Sequence, residues 1–313
     1  MTTKNAHKFL LTPLLCASAL ACGAEHDPGS HVQSFRVLAL QADAPFAQPG
    51  DDVNLGSLSH DPAGRSITWG WGVCPSPAGS TPAACLDQFR EIVAEQGDLA
   101  WLMQGQGQDS VQVSIPTDFL TQLPAEARPH AQLGVVSVAC PGSLELDSLA
   151  PDVPFRCREA TDGRELSLAE YVVGVKRISV RERDRNENPT IEAVLFDGAD
   201  WPADEVKEVD ACDTSDYDYL ACPDGLKHRV AARVDAASFE TGTDEFEREF
   251  SEQVVIQHYS TEGIFESEVR VADEPETGWV ARSAASGSEL SLWFVARDDR
   301  GGVSWTERRV RVR

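Results

Sequence analysis

Residues 67–73 read Ile-Thr-Trp-Gly-Trp-Gly-Val, and the large apolar side chains occupy every second position. Successive side chains of a β-strand point to opposite faces, so this spacing places Trp69 and Trp71 together on one buried face. Gly70 and Gly72 lie on the opposite face, where they allow another backbone to approach closely. The stretch therefore predicts a strand that carries two tryptophans into a core.

Two segments on either side of this strand carry a resemblance to a known family. Upstream, the chain reads Ala-Gln-Pro-Gly-Asp-Asp-Val-Asn-Leu at 47–55 and Asp-Pro-Ala-Gly at 61–64. Near the end, residues 293–305 read Trp-Phe-Val-Ala-Arg-Asp-Asp-Arg-Gly-Gly-Val-Ser-Trp. The first resembles the opening, and the second the last hairpin, of PKD-like and other immunoglobulin-like domains, and the whole layout is similar to Ig-like surface lipoproteins abundant in myxobacteria. The resemblance implies an all-β protein of two immunoglobulin-like β-sandwich domains.

The order of the segments predicts the domain organisation. The charged, proline-ended segment ERDRNENP at 182–189 interrupts the strand series. We expect a lipoprotein signal peptide at 1–21, a flexible tether at 22–34, a first Ig-like domain with insertions at 35–186 and a second at 187–313. Leu86, Phe89, Ile92 and Val93 recur at helical spacing and predict a helical insertion. Pro116-Thr117-Asp118 predicts the cap of a short helix through Leu123.

The N-terminus predicts export and a lipid anchor. Lys4 and Lys8 precede an apolar stretch that is shorter than the about 20 residues needed to span a bilayer. The stretch ends in Ser-Ala-Leu-Ala-Cys-Gly at 18–23, which resembles the lipobox of bacterial lipoproteins. That resemblance implies cleavage before Cys22, acylation of its thiol and a place in the outer membrane. The alternative is an ordinary cleaved signal with Cys22 incidental.

The remaining cysteines predict disulfides. Six follow Cys22, and an even number in an exported chain favours pairing, with 15 arrangements open. They fall into three neighbouring couples, and we expect each couple to close its own loop: Cys74 with Cys85, Cys140 with Cys157, and Cys212 with Cys222. Zinc is the alternative, but no couple has Cys-x-x-Cys spacing.

Composition and charge exclude some classes of partner. The 313 residues include 27 Lys and Arg against 51 Asp and Glu, a formal net charge of −24. Such a surface repels phosphate backbones, so we expect no nucleic-acid partner. It also disfavours attachment to anionic lipid through charge, which leaves a covalent lipid as the expected route to the membrane.

A search for chemistry gives one hypothesis and no catalytic motif. The sequence contains no His-Glu-x-x-His and no Gly-x-Ser-x-Gly, and His258 is expected to be half-buried on a strand. Asp184–Pro189 loosely resembles the calcium-binding linker of cadherins, and Asp210, Asp213, Asp216 and Asp218 form a second acidic cluster. The competing interpretation of both is a solvated acidic surface. We therefore expect neither a cofactor nor a bound metal.

These observations predict an exported, lipid-anchored cell-envelope protein that acts as a non-enzymatic binding or structural module. Its partner is expected to be an envelope protein or a glycan, contacted through the long insertions at 74–109 and 140–170. Trp101 is a candidate contact residue, although core packing is the simpler role for a tryptophan. The alternatives are an accessory role in polysaccharide binding or envelope assembly, and a hydrolase.

Overall fold

The chain folds into short and medium β-strands in the computed structural model, which describes residues 28–74, 85, 108–146, 155–214 and 217–313. Nine strands form the first half: β1 Arg36–Ala42, β2 Phe46–Ala47, β3 Asp52–His60, β4 Thr68–Cys74, β5 Ser110–Ser114, β6 Gln132–Cys140, β7 Ser143–Leu146, β8 Phe155–Arg158 and β9 Val172–Val180. Single 3-10 turns lie at Arg128–His130, Tyr219–Ala221, Asp224–Leu226, Ala236–Ser238 and Ser283–Ala285.

The second half contains twelve strands within the described residues. They are β10 Ile191–Phe196, β11 Ala199–Asp200, β12 Val206–Val209, β13 His228–Val234, β14 Thr241–Thr243, β15 Glu249–Ser251, β16 Val254–Ser260, β17 Ile264–Phe265, β18 Val269–Val271, β19 Thr277–Val280, β20 Glu289–Asp298 and β21 Val303–Val312. No helix in the part of the chain that the structure describes is long and apolar enough to cross a membrane.

Each half is an immunoglobulin-like sandwich of two sheets. In the first, the order β1-β3-β5 faces the order β2-β9-β6-β4. In the second, the order β11-β10-β13-β19-β17 faces the order β12-β21-β20-β16-β18. The two halves begin in the same way. The first strand of each half pairs antiparallel within one sheet, β1 with β3 and β10 with β13. A later short strand then pairs parallel with the last strand of the other sheet, β2 with β9 and β12 with β21. This strand order confirms the predicted all-β fold class.

The tryptophan strand lies where its alternation predicts. Trp69 and Trp71 are buried in the first core, with ring centres 5.3 Å apart and planes 9° from parallel. Such a stacked pair contributes about 0.5–1.5 kcal/mol beyond the burial of its area. In the second core, Trp201 and Trp279 are buried among the inward-facing residues of both sheets.

The outer face of the first domain's larger sheet is covered by an insertion. Val136 and Val138 of β6 point away from the core and pack with the hairpin β7–β8, which contributes Phe155. The disulfides Cys74–Cys85 and Cys140–Cys157 lie in the same cluster. The described part of the 140–170 insertion therefore completes a second apolar layer rather than extending as a free loop.

Two details differ from the sequence expectations. The short helix predicted after Pro116 is wrong: residues 117–122 form successive turns, closed by bonds such as Phe119 N to Pro116 O at 3.1 Å. His258, expected to be half-buried, is fully buried between Phe265 and Phe294, because its strand side faces the core. The predicted helical run at 86–93 lies outside the described residues.

Candidate interdomain site

The first domain covers the outer face of one sheet of the second domain. On β20, Leu292 and Phe294 point into the second core, whereas Trp293 and Val295 point outward into apolar clusters shared with the first domain. All four side chains are buried. A strand that is covered on one side only alternates apolar and polar residues, so burial on both sides explains the unbroken apolar run of β20.

A β-bulge in β1 provides the matching surface of the first domain. The pairing of β1 with β3 shifts register between Val37 and Ala39, and both Leu38 and Ala39 lie in the interdomain clusters. A bulge redirects side chains in this way because two residues oppose one partner. The apolar interdomain surface consists of Val32, Leu38, Ala39, Leu58, Tyr259, Trp293, Val295, Val303 and Trp305.

Arg300, in the turn between β20 and β21, is held between an aromatic ring of each domain. Its guanidinium carbon lies 4.6 Å from the ring centre of Phe46 and 4.0 Å from that of Phe250. Phe46 belongs to β2 of the first domain, and Phe250 belongs to β15 of the second. Cation–π contacts that exclude water contribute up to about 2 kcal/mol each.

The same guanidinium binds three carboxylates. It contacts Asp184 of the linker at 2.7 Å, Glu252 at 3.0 Å and Glu240 at 3.3 Å. One cation therefore connects the linker to both domains. We call this group the Arg300 clamp: Arg300, Phe46, Phe250, Asp184, Glu240 and Glu252.

Glu252 is the most buried carboxylate of the clamp, with a side chain that is 1% exposed. Burial raises its pKa to about 7, and the negative charges of Asp298 and Glu240 act in the same direction. The hydrogen bond from Arg300 opposes the rise because it stabilises the ionised carboxylate. Glu252 therefore depends on Arg300 to remain charged near neutral pH.

Asn188 fastens the linker to both domains through its side-chain amide. Its Nδ2 donates to the carbonyl of Ala42 at 2.7 Å, and its Oδ1 accepts from the backbone N–H of Val303 at 2.8 Å. Two further interdomain bonds lie close by: Gln41 Nε2 donates to Val303 O at 2.6 Å, and Arg297 donates to Leu38 O at 2.7 Å.

The oxygen ligands that the calcium hypothesis requires at the linker are engaged elsewhere. Asp184 is paired with Arg300, Asn186 Nδ2 donates to Asp298 at 3.3 Å, and Asn188 bridges the domains. Within the described residues, no three His, Cys, Asp or Glu side chains are grouped so that they could hold a metal ion. A guanidinium therefore supplies the positive charge at the linker.

The second acidic cluster is also dispersed. Asp210 pairs with Arg313 at 3.2 Å, and Asp218 accepts from the backbone N–H of Leu220 at 2.9 Å, which caps a 3-10 turn. Asp213 accepts from the Ser283 hydroxyl at 3.3 Å. Asp216 lies outside the described residues.

The flexible tether predicted for 22–34 is wrong over its described part. Ser30, His31 and Val32 are buried, and they run beside the end of β16. The backbone N–H of Val32 donates to Ser260 O at 2.9 Å, and Ser260 N donates to Ser30 O at 2.8 Å. Polar sequence alone did not indicate this pairing, because the bonds come from the backbone. We call residues 28–33 the strap.

A polar network holds the strap to the second domain. His31 Nδ1 lies 2.6 Å from the Tyr217 hydroxyl, and its Nε2 lies 3.1 Å from Thr261 O. Arg282 donates to Glu262 at 2.7 Å and its guanidinium carbon lies 4.0 Å from the Tyr217 ring centre. The pKa of Glu262 is lowered despite its burial, because Arg282 and the Gly263 N–H hydrogen-bond to the ionised form. The strap is thus fixed to the loop that Cys212–Cys222 closes.

The structure pairs the six cysteines as neighbours: Cys74–Cys85, Cys140–Cys157 and Cys212–Cys222. The predicted lipidation residue Cys22 and the candidate contact residue Trp101 lie outside the described residues. Sequence reasoning missed Arg300 and the strap. The apolar run on both faces of β20 was a signal for a covered sheet, whereas no local pattern marks the partners of Arg300.

Comparisons with known proteins add little to this description. No family model matches the chain, and no curated protein matches it. The Ig1-2 module of the Drosophila receptor protein tyrosine phosphatase DLAR is 9% identical, covering 90% of this chain and 99% of that one, with a TM-score of 0.24. The D0-D1 domain of Intimin is 9% identical over 88% of this chain and 98% of that one, with a TM-score of 0.21. The Yersinia pseudotuberculosis adhesin InvE is 8% identical over 87% of this chain and 58% of that one, with a TM-score of 0.20. The fold assignment therefore rests on the strand order of this chain.

Proposed function

We propose that this protein is an exported, lipid-anchored module of the cell envelope that binds or supports another envelope component without catalysing a reaction. The single observation that supports the role most is the interlocked junction, in which the apolar interdomain surface, the Arg300 clamp and Asn188 hold two Ig-like domains together. Domains joined only by a linker move independently, whereas a large apolar interface between two domains prevents their independent motion. A rigid body of this kind is suited to presenting loops at fixed spacing.

The placement of the six tryptophans that the structure describes favours a protein partner over a glycan. Sugar-binding modules commonly use exposed aromatic rings, whose apolar faces pack against the ligand. In the described part of the chain, Trp69, Trp71, Trp201, Trp279 and Trp293 are buried, and Trp305 packs in the interdomain surface.

The proposed anchor would hold the module close to the membrane. Three disulfides are typical of an oxidising compartment, which agrees with export. The strap begins at Pro28, six residues after Cys22, and six residues span at most about 20 Å. We therefore propose that the second domain, to which the strap is fixed, faces the bilayer in an outer-membrane lipoprotein.

Metabolic labelling with palmitate tests the anchor. Wild-type protein and the control Cys16→Ala should be labelled and should sediment with membranes, whereas Cys22→Ala should be unlabelled and released. Cys16 is a matched control because it lies in the same apolar segment after the bulky Leu15. A Cys22→Ala protein that remains acylated and membrane-bound would contradict the anchor.

Affinity capture from envelope extracts tests the binding role. We expect a partner that is retained by the folded protein, lost when the extract is treated with protease, and unaffected by glycan hydrolases. Loss of the partner after glycan hydrolysis alone would instead favour the polysaccharide role. Turnover of substrates in a hydrolase panel would overturn the non-enzymatic assignment.

A further inference from the structure

A groove between the domains contains a buried lysine. The groove has a volume of about 370 Å³ and lies between β1 and β9 of the first domain and the β20–β21 turn of the second. Lys176 lines it and is only 8% exposed. We call this space the Lys176 groove; its lining includes Val37, Leu40, Ser137, Val172, Gly174, Lys176, Arg297, Asp298 and Gly302.

Among the described residues, a single acceptor pairs with the ammonium group of Lys176. This group donates one hydrogen bond, to Gly301 O at 2.7 Å. An ammonium carries three donors, and the described residues place no carboxylate within 4.0 Å of it. Burying a charge that is only partly paired costs free energy, so an anion that pairs with Lys176 would stabilise it.

The charges around the groove are unevenly balanced. Arg297 contributes a second positive charge. Its guanidinium donates hydrogen bonds to Gln257 Oε1 and Leu38 O, both at 2.7 Å. Asp298 contributes a negative charge, but its Oδ1 already accepts from the backbone N–H groups of Arg300 at 2.9 Å and Gly302 at 2.7 Å. The groove therefore contains two cations, Lys176 and Arg297, and one carboxylate, Asp298, which already accepts hydrogen bonds from the backbone.

The pKa of Lys176 is lowered to about 8, mainly by burial and also by the nearby charge of Arg297, whereas Asp298 acts in the opposite direction. The lysine still carries its charge at neutral pH. An anion beside it would accept charge-assisted hydrogen bonds from its remaining donors, and such bonds are among the strong ones in proteins.

We propose that the Lys176 groove binds a small organic anion, with its carboxylate on Lys176 and Arg297. The apolar side chains of Val37, Leu40 and Val172 would contact a short aliphatic tail. This inference goes beyond the proposed function, because it requires the interdomain packing but neither the lipid anchor nor an envelope partner.

Lysine-selective NMR of the full chain, titrated with hexanoate, tests the proposal. The chain has five lysines, at positions 4, 8, 176, 207 and 227, so few signals need assignment. We expect the Lys176 signal to shift saturably with hexanoate and to stay in place with hexan-1-ol and hexylammonium, which keep the tail but lack the carboxylate. Lys207, paired with Glu205 at the surface, should not respond.

Calorimetric titration with variants gives the second test. Lys176→Met removes the charge and keeps most of the volume, and we expect hexanoate to bind at least about tenfold more weakly, which is the loss of one charge-assisted hydrogen bond. Lys207→Met is the matched control and should bind like wild type. The wild-type NMR titration decides the matter even if Lys176→Met does not fold. A non-saturating shift, an equal shift of all lysines, or unchanged affinity in Lys176→Met would overturn the proposal.

Discussion

Replacing Arg300 with alanine should lower the free energy of unfolding and cause the two domains to unfold in separate transitions. The substitution removes the guanidinium that lies between Phe46 and Phe250 and that pairs with Asp184, Glu240 and Glu252. It removes no part of either core, since Arg300 lies in the turn between β20 and β21. Its effect therefore reports on the junction.

The largest contribution comes from Glu252. Its side chain is 1% exposed, so loss of Arg300 leaves a buried carboxylate without its cation. Removing one partner of a fully buried ion pair costs about 3–5 kcal/mol. The pKa of Glu252 is already about 7, so at pH 7.5 the stranded carboxylate takes up a proton, and its contribution stays below that range. The lost cation–π contacts add about 0.5–2 kcal/mol each, but these values are not additive, so we expect a total of about 2–4 kcal/mol.

Urea unfolding at pH 7.5, followed by tryptophan fluorescence and by circular dichroism, measures the effect. We expect one coincident transition for wild type and two separated transitions for Arg300→Ala. Arg311→Ala is the matched control, because Arg311 is 54% exposed and pairs with Glu289 at the surface, where such a pair contributes at most about 1 kcal/mol.

A double variant isolates the proposed cause. Glu252→Gln combined with Arg300→Ala no longer contains the stranded carboxylate, and we expect it to be at least about 1–2 kcal/mol more stable than Arg300→Ala alone. A cost below about 1 kcal/mol for Arg300→Ala, or a double variant no more stable than the single one, would refute the reasoning.

Three further predictions follow from buried groups. Burial raises the pKa of Glu252 from 4.5 to about 7, so its contribution to stability is present below pH 4.5 and is lost as the pH rises to about 7. Glu252→Gln should therefore gain in Tm relative to wild type between pH 5 and pH 8, and a constant difference would contradict this. Burial lowers the pKa of His258 from 6.5 to about 4, so its contribution is present above pH 6.5 and is lost as the pH falls to about 4. His258→Leu should lose less stability than wild type over that range in urea titrations, and an equal loss would count against the assignment. Replacing both Cys140 and Cys157 with alanine opens a loop with a sequence separation of 17 and should cost about 3 kcal/mol in urea unfolding, whereas a cost below about 1 kcal/mol would show that the outer layer does not depend on this disulfide.

The alternation of Trp69 and Trp71 was sufficient to predict a strand with two buried tryptophans, because strand periodicity is a local property of the sequence, whereas the sandwich was implied by the family resemblance. The same reasoning failed after Pro116, where a cap-like sequence leads into turns. Caps favour a helix only weakly, and no apolar face of helical period follows to stabilise one.

The junction could not be predicted in the same way. Arg300 takes its partners from β2, the linker and two segments of the second domain, which are far apart in the sequence. The strap is fixed by backbone bonds between Ser30, Val32 and Ser260, and backbone donors leave no signature in a sequence. Both features depend on tertiary packing.

The central claim is that the two Ig-like domains pack face to face as one body. Small-angle X-ray scattering of the purified full chain tests it most directly, by comparing the distance distributions of wild type and Arg300→Ala. We predict a single maximum for wild type and a radius of gyration of about 20 Å, the value for a compact body of this length. A wild-type distribution with a second maximum, at the separation of two domain centres, would contradict the account.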